Sequence, residues 1–148
     1  MKLQKSNNQA DDMQALLLEN SGLPGVFGDG VSIADVPDIP VAHEFADGIY
    51  IRKMTMKEGD LVVGAIHNHL HAWFLMQGRV LISNNGEDIE HIAPCYTVSD
   101  PGSKRLIYAV EDSIFVNVHK NPTNTRDIKE LEDEIVSMTI EQYNKKHK

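Results

Sequence analysis

From Ile49 to His119 the chain never runs far without a turn signal, and that spacing excludes most architectures. Strand-favouring runs at Ile49–Met56, Leu61–His67, Leu70–Met76, Val80–Ser83, Ile89–Ile92, Tyr96–Ser99, Lys104–Val110 and Ile114–His119 are separated by turn-rich segments. Lys57-Glu58-Gly59-Asp60, Gln77-Gly78, Asp100-Pro101-Gly102-Ser103 and Glu111-Asp112-Ser113 supply those turns, and Asn84-Asn85-Gly86-Glu87-Asp88 reads as a hairpin loop. Many short strands at close spacing predict a sandwich or a barrel. A helical core is excluded, because no central segment is long enough for one.

Two segments of other character flank this centre. Residues 8–20 predict a helix, with Asn8 as cap, Asp11 and Asp12 in the first turn, and an apolar stripe of Met13, Leu16 and Leu17. Ser21-Gly22 stops it and Pro24 lies beyond. Residues 24–47, rich in Gly, Pro and small side chains, read as an extended connector with room for a short edge strand. From about Thr125 to Tyr143, Ile128, Leu131, Ile135 and Met138 recur at helical spacing and predict one C-terminal helix. The expected organisation is therefore an N-terminal helix and connector over 1–48, a β-barrel over 49–120, and a C-terminal helix over 121–148.

Composition narrows the function classes. The chain has 148 residues and a net charge of −8, and it shows no cluster of Lys and Arg, which argues against nucleic acid as a partner. No apolar run approaches the roughly 20 residues of a membrane span, and the first residues lack the apolar core of a signal peptide. Cys95 is the single cysteine, so no disulfide framework exists and a cytoplasmic location is expected.

The densest chemistry lies in Gly64-Ala65-Ile66-His67-Asn68-His69-Leu70-His71, which runs on through Ala72-Trp73-Phe74-Leu75-Met76-Gln77 to Gly78. Residues two apart on a strand share a face, so an unbroken strand would set His67, His69 and His71 side by side. Neutral imidazoles in apolar surroundings suit a divalent transition metal such as Zn, Fe, Mn, Ni or Cu. The competing reading of His67 and His71 is a pair of satisfied polar residues near a barrel mouth. His69 is either a third ligand or a solvent-facing residue at a strand break.

This centre resembles the cupin superfamily, whose first motif has a glycine, His-x-His, then Glu, and a closing glycine. Counted back from Gly78, the Glu position is His71, the second His is His67, and the first His is Ala65. The second motif, Pro-x-Gly-x-x-His, matches Asp100-Pro101-Gly102-Ser103-Lys104-Arg105, with Arg105 in the His position. The resemblance implies a mostly β, single jelly-roll antiparallel barrel, to which the helical arms are added. The same motifs, with Tyr108-Ala109, Glu111-Asp112 and Val118-His119, also look like small cupin-like proteins of tailed bacteriophages. That likeness implies a phage product acting in host cytoplasm or in a virion.

Arg105 separates the functional readings. A permanent cation repels a metal, but its fork suits a carboxylate or phosphate. The competing reading is a structural ion pair with Asp100, Glu111 or Glu90. If Arg105 and His119 pair across the turn between them, His119 points into the same space and becomes a fourth metal ligand. Trp73 and Tyr108 are candidate ligand-contact residues or barrel core. His43, His91 and His147 read as surface or tail residues, and Cys95 as a small buried hydrophobe. The reading that results is a non-enzymatic or weakly enzymatic small-molecule binder, homodimeric through its arms or an outer strand, holding a small ligand, anionic or neutral, with or without a divalent metal, through His67, His69, His71 and Arg105. Three alternatives compete with it: a metal-dependent dioxygenase, isomerase or lyase; a phage structural or assembly protein; and a nucleotide-sequestering protein.

Overall fold

The computed structural model describes residues 26–27, 39–84, 87–137 and 139–148. The expected N-terminal helix lies outside them. The order is β1 (Val26–Phe27), β2 (Val41–Ala46), β3 (Ile49–Met56), β4 (Leu61–Val63), β5 (Ile66–His67), β6 (His71–Gln77), β7 (Arg79–Asn84), β8 (Glu87–Ile92), β9 (Cys95–Ser99), β10 (Leu106–Ala109), β11 (Ser113–Lys120), α1 (Ile128–Ile135), β12 (Val136–Ser137) and α2 (Ile140–Lys146).

The strands form two five-stranded sheets, β1-β4-β10-β7-β8 and β2-β3-β11-β6-β9, and a small pair, β12-β5. The expected closed barrel is corrected here. Among the described residues no ladder of hydrogen bonds joins the two large sheets. They bury their apolar faces against each other, as alternating strands with one wet face must.

Strand register sorts the inner face of the β2-β3-β11-β6-β9 sheet into rows of different chemistry. One row is apolar: Val41, Met54, Phe115, Leu75 and Cys95. The next is His43, Arg52, Asn117, Trp73 and Thr97, and beyond it lie Phe45, Tyr50 and His119, with His71 opposite Ser99. The apolar row joins Met56, Val62, Val80, Ile82, Ile107 and Ala109 in the main core. The polar rows therefore stack up at one end of the sandwich, and that end is where the site forms.

The C-terminal segment closes this end, but not as the single helix expected. Val136 and Ser137 leave the helix to pair with His67 and Ile66 of β5. β-Branched Val136 suits a strand, the Ser137 hydroxyl donates to Asn68 Oδ1 at 2.7 Å, and Thr139 caps a new helix through the Gln142 N–H. α1 begins at Asp127, whose carboxylate accepts from the Lys129 and Glu130 N–H groups. Leu131, Ile135 and Val136 then pack on Tyr50 and Ala65 as a second apolar cluster.

Gly78 is the tightest point of the sheet connections. Its φ is +87°, and a Cβ there would collide with Asp112 O, Ser113 Oγ and Ser113 Cα. Gly59 has φ +89° but open space around it. Gly78→Ala is expected to cost about 3 kcal/mol or more, against about 1–2 kcal/mol for Gly59→Ala, where only backbone strain applies. Urea denaturation of the two variants measures the difference.

Candidate functional site

The site is assembled by two deviations from regular strand. The first is a bend at Asn68–His69 between β5 and β6. The Asn68 N–H donates to Ile135 O at 2.7 Å, its side-chain amide donates to Glu134 O, and its own carbonyl accepts from His147 Nε2 at 2.9 Å. Tied to the C-terminal segment on all sides, Asn68 breaks the alternation that would have aligned three histidines. His67 and His71 still point inward. His69 turns out, half exposed, with Nε2 3.3 Å from Glu134 Oε1.

The second deviation is the segment leading into β10. The Gly102 N–H donates to His67 O, the His67 N–H donates to Ser103 O, and the Gly64 N–H donates to Arg105 O. Gly102 takes φ +85°, a conformation suited to glycine. This clamp fixes Arg105 just before β10, with its side chain inside the sandwich. β10 and β11 lie in different sheets, so the expected pairing of Arg105 with His119 does not occur. His119 arrives instead from β11, beside His71.

Three imidazoles stack at the site. The His67 and His71 rings are 4.2 Å apart at 21°, His71 and His119 are 4.7 Å apart at 25°, and His67 and His119 are 5.8 Å apart at 10°. His119 stacks in turn on Tyr50. Imidazole lone pairs lie in the ring plane, so in near-parallel stacked rings each stays within its own layer and the three do not converge on one point. Among the described residues, no group of three His, Cys, Asp or Glu side chains is arranged to hold a metal ion. The donor set, as placed, does not fit the divalent metal that the sequence suggested.

Arg105 gives a second reason. Its guanidinium is buried, donating through Nη1 to Ser99 Oγ and through Nη2 to His71 Nε2, each at 3.3 Å. An arginine only donates, so His71 Nε2 accepts and its Nδ1 carries the hydrogen. His67 Nδ1 faces Ser103 O at 3.3 Å and donates to it. Burial pushes Arg105 down to about 10, which leaves it charged at neutral pH. No carboxylate pairs with it among the described residues. Its Nε is buried without a hydrogen-bond partner.

The histidines stay neutral. Burial first, then Arg105, lowers His71 to about 4; the Asn117 side chain and the His69 backbone partly offset this, although Nδ1 has no partner of full hydrogen-bond geometry. Burial, then Arg105 and the neighbouring imidazoles, hold His67 well below its ordinary value. His119 is held down by burial, then His71, Arg52 and Arg105.

A cavity of about 430 Å³ opens beside this cluster, with Arg105 and Ser99 in its wall. Trp73, Ile82, Ile89 and Thr97 form its sides, and Asn84, Glu87 and His91 complete it. Trp73 meets His91 edge-on at 4.9 Å and stacks on Phe115. Tyr108 is elsewhere, 42% exposed on the outer face of β10. His43 is half buried and bonded to the Tyr50 hydroxyl at 2.6 Å, and His147 stacks on Tyr143. Cys95 is a half-buried free thiol against the main core.

Sequence reasoning did not single out Arg52, Ser99, Asn84 or the cavity role of His91. Strand alternation could have found Arg52, which falls between Tyr50 and Met54 on the buried face of β3. The others depend on which strands face each other across the sandwich.

No family model matches the chain, and no curated protein matches it. Solved structures do resemble it. One is a conserved protein with a double-stranded β-helix domain from Klebsiella pneumoniae, with a TM-score of 0.51, 16% identity, and cover of 59% of this chain and 80% of that one. Another is a cupin 2 conserved barrel domain protein from Salinispora arenicola, with a TM-score of 0.50, 14% identity, and cover of 64% and 86%. A third is a cupin superfamily protein from Desulfitobacterium hafniense, with a TM-score of 0.50, 10% identity, and cover of 56% and 77%. At these identities the likeness establishes the fold and carries no chemistry.

The three buried imidazoles predict an acid-labile fold. Each has a folded-state pKa below its unfolded value, so the unfolded chain takes up protons first as pH falls. Stability is full above about pH 6.5 and declines as pH drops toward 4. The melting temperature should fall by roughly 5 °C or more between pH 7 and pH 5.5. His119→Gln should flatten that slope, as differential scanning calorimetry across pH would show.

Proposed function

We propose that this small protein of cupin fold binds a small anionic molecule in the cavity beside Arg105. One observation carries the reading: a buried, charged guanidinium lines a cavity and has no carboxylate partner among the described residues. An unpaired buried cation costs several kcal/mol in a folded protein. A bound anion would offset that cost, and the planar fork of arginine suits two oxygens. The neutral imidazoles neither compete for the anion nor neutralise the guanidinium.

A divalent metal on His67, His71 and His119 is the rival occupant. It would need the rings to leave their stack, and it would place a second cation next to Arg105. The readings as a metal-dependent enzyme, an assembly scaffold or a nucleotide-sequestering protein draw support from no particular feature of the described residues. The phage setting adds a host compartment or a virion but no chemistry.

The test is ligand-dependent thermal stability with formate, benzoate, inorganic phosphate, ZnCl2 and MnCl2. At least one anion at about 100 times its Kd should raise the melting temperature by about 5 °C or more. Arg105→Met, which keeps an apolar stem in place of the guanidinium, should remove the anion effect in a protein that circular dichroism shows to be folded. Stabilisation by zinc or manganese alone, lost in His67→Ala, would overturn the reading in favour of a metal site.

A further inference from the structure

The walls of the cavity say more about its occupant than that it is an anion. Arg105 is the only arginine or lysine among the residues that line it. His91 is held down by burial and then by Arg105, so it adds no charge at neutral pH. Glu87, also in the wall, contributes a negative charge. With Glu87 the wall carries one positive and one negative charge, so a phosphate dianion would leave two negative charges unbalanced, a monoanion one, and a monocarboxylate that also bears an ammonium group none.

Each Nη of Arg105 donates one hydrogen bond, to Ser99 and to His71, which leaves a second N–H on each and the buried Nε–H. Asn84 supplies the complement. Its Oδ1 is buried and has no hydrogen-bond partner, and Asn84 pairs with Glu87 across β7 and β8. Leu106 pairs with Ser83, so Arg105 leaves the backbone at the level of Asn84. Arg105 and Asn84 both line the cavity, each with one buried polar atom lacking a hydrogen-bond partner, and Glu87, paired with Asn84, lines it too. Trp73, Ile82 and Ile89 line it with apolar surface.

We infer that the occupant is a small monocarboxylate with an apolar, flat body and a hydrogen-bond donor of its own: the carboxylate on the Arg105 guanidinium, the body along Trp73, Ile82 and Ile89, and the donor on the Asn84 side chain and Glu87. This rests on the reading of the cavity as an anion site. The donor is a hydroxyl or an ammonium group. Either can bond to the Asn84 side chain, and an ammonium group would also pair with Glu87. A ligand without that donor forgoes this bond, which is the basis for discrimination.

The experiment is calorimetric titration of the full chain with benzoate, 3-hydroxybenzoate, 4-hydroxybenzoate, 4-(aminomethyl)benzoate and inorganic phosphate. At least one donor-bearing benzoate should bind about tenfold or more tightly than benzoate. Asn84→Ala should abolish the difference in affinity between that ligand and benzoate, and Arg105→Gln should abolish binding of all of them. Preference for the aminomethyl compound over both hydroxybenzoates, lost in Glu87→Gln, would identify the donor as an ammonium group. Equal binding of all the benzoates would overturn the donor assignment and leave the anion reading standing. Tighter binding of phosphate than of any carboxylate would overturn the monocarboxylate class alone. Binding of none of the five would overturn both.

Discussion

The hydrogen bonds from Arg105 to Ser99 and His71 organise this end of the molecule. They hold a full positive charge between two sheets, where nothing in the described protein neutralises it. Burial lowers the pKa of the three histidines beside it, and that charge adds to the effect. His67, His71 and His119 are kept unprotonated, because another proton would add repulsion to desolvation. The imidazoles stack as neutral rings instead of spreading to chelate. Arg105 lines the cavity beside them, with N–H groups beyond the two bonded to Ser99 and His71.

Keeping that arrangement dry is the work of the C-terminal segment. β12 adds a strand to β5 over His67, and Leu131, Ile135 and Val136 cover Tyr50. Asn68 joins the two parts, with backbone and side chain both bonded to the segment. Lys146 donates to Asp133 O and Val136 O, tying α2 back to the end of α1. The histidine end is thereby capped by the chain itself, and the cavity beside Trp73 and Arg105 is the part left for a ligand. Burial at one end and a cavity at the side are two outcomes of the same polar rows across one sheet.

Much of the fold was legible in the residues. Turn signals at Lys57–Asp60, Asn84–Asp88 and Asp100–Ser103 marked the strand ends, and alternation marked the buried faces of β3, β6 and β11. The helix expected through Met138 failed because helical spacing was read without the edge of β5, which draws Val136 and Ser137 into a strand. The three-histidine row failed for a related reason. Asn68 bonds to residues 66 to 79 positions away, and a local pattern cannot register that bend. His119 did reach His71, but through the pairing of β11 with β6 and not through the predicted pairing with Arg105. The unpaired state of Arg105 was not legible at all: Asp100, Glu111 and Glu90 were plausible partners on paper, and Glu90 is taken by Arg79 at 3.2 Å.

The most direct test of a guanidinium-centred anion site is nitrogen-15 NMR of the arginine Nε–H groups. Arg105→Lys assigns the resonance, and benzoate and zinc chloride are titrated in turn. The account predicts that the Arg105 Nε–H signal shifts and becomes protected from exchange as carboxylate saturates, and that it is unmoved by equimolar zinc. A signal that ignores saturating carboxylate, while zinc at one equivalent displaces the side-chain resonances of His67, His71 and His119, would contradict it.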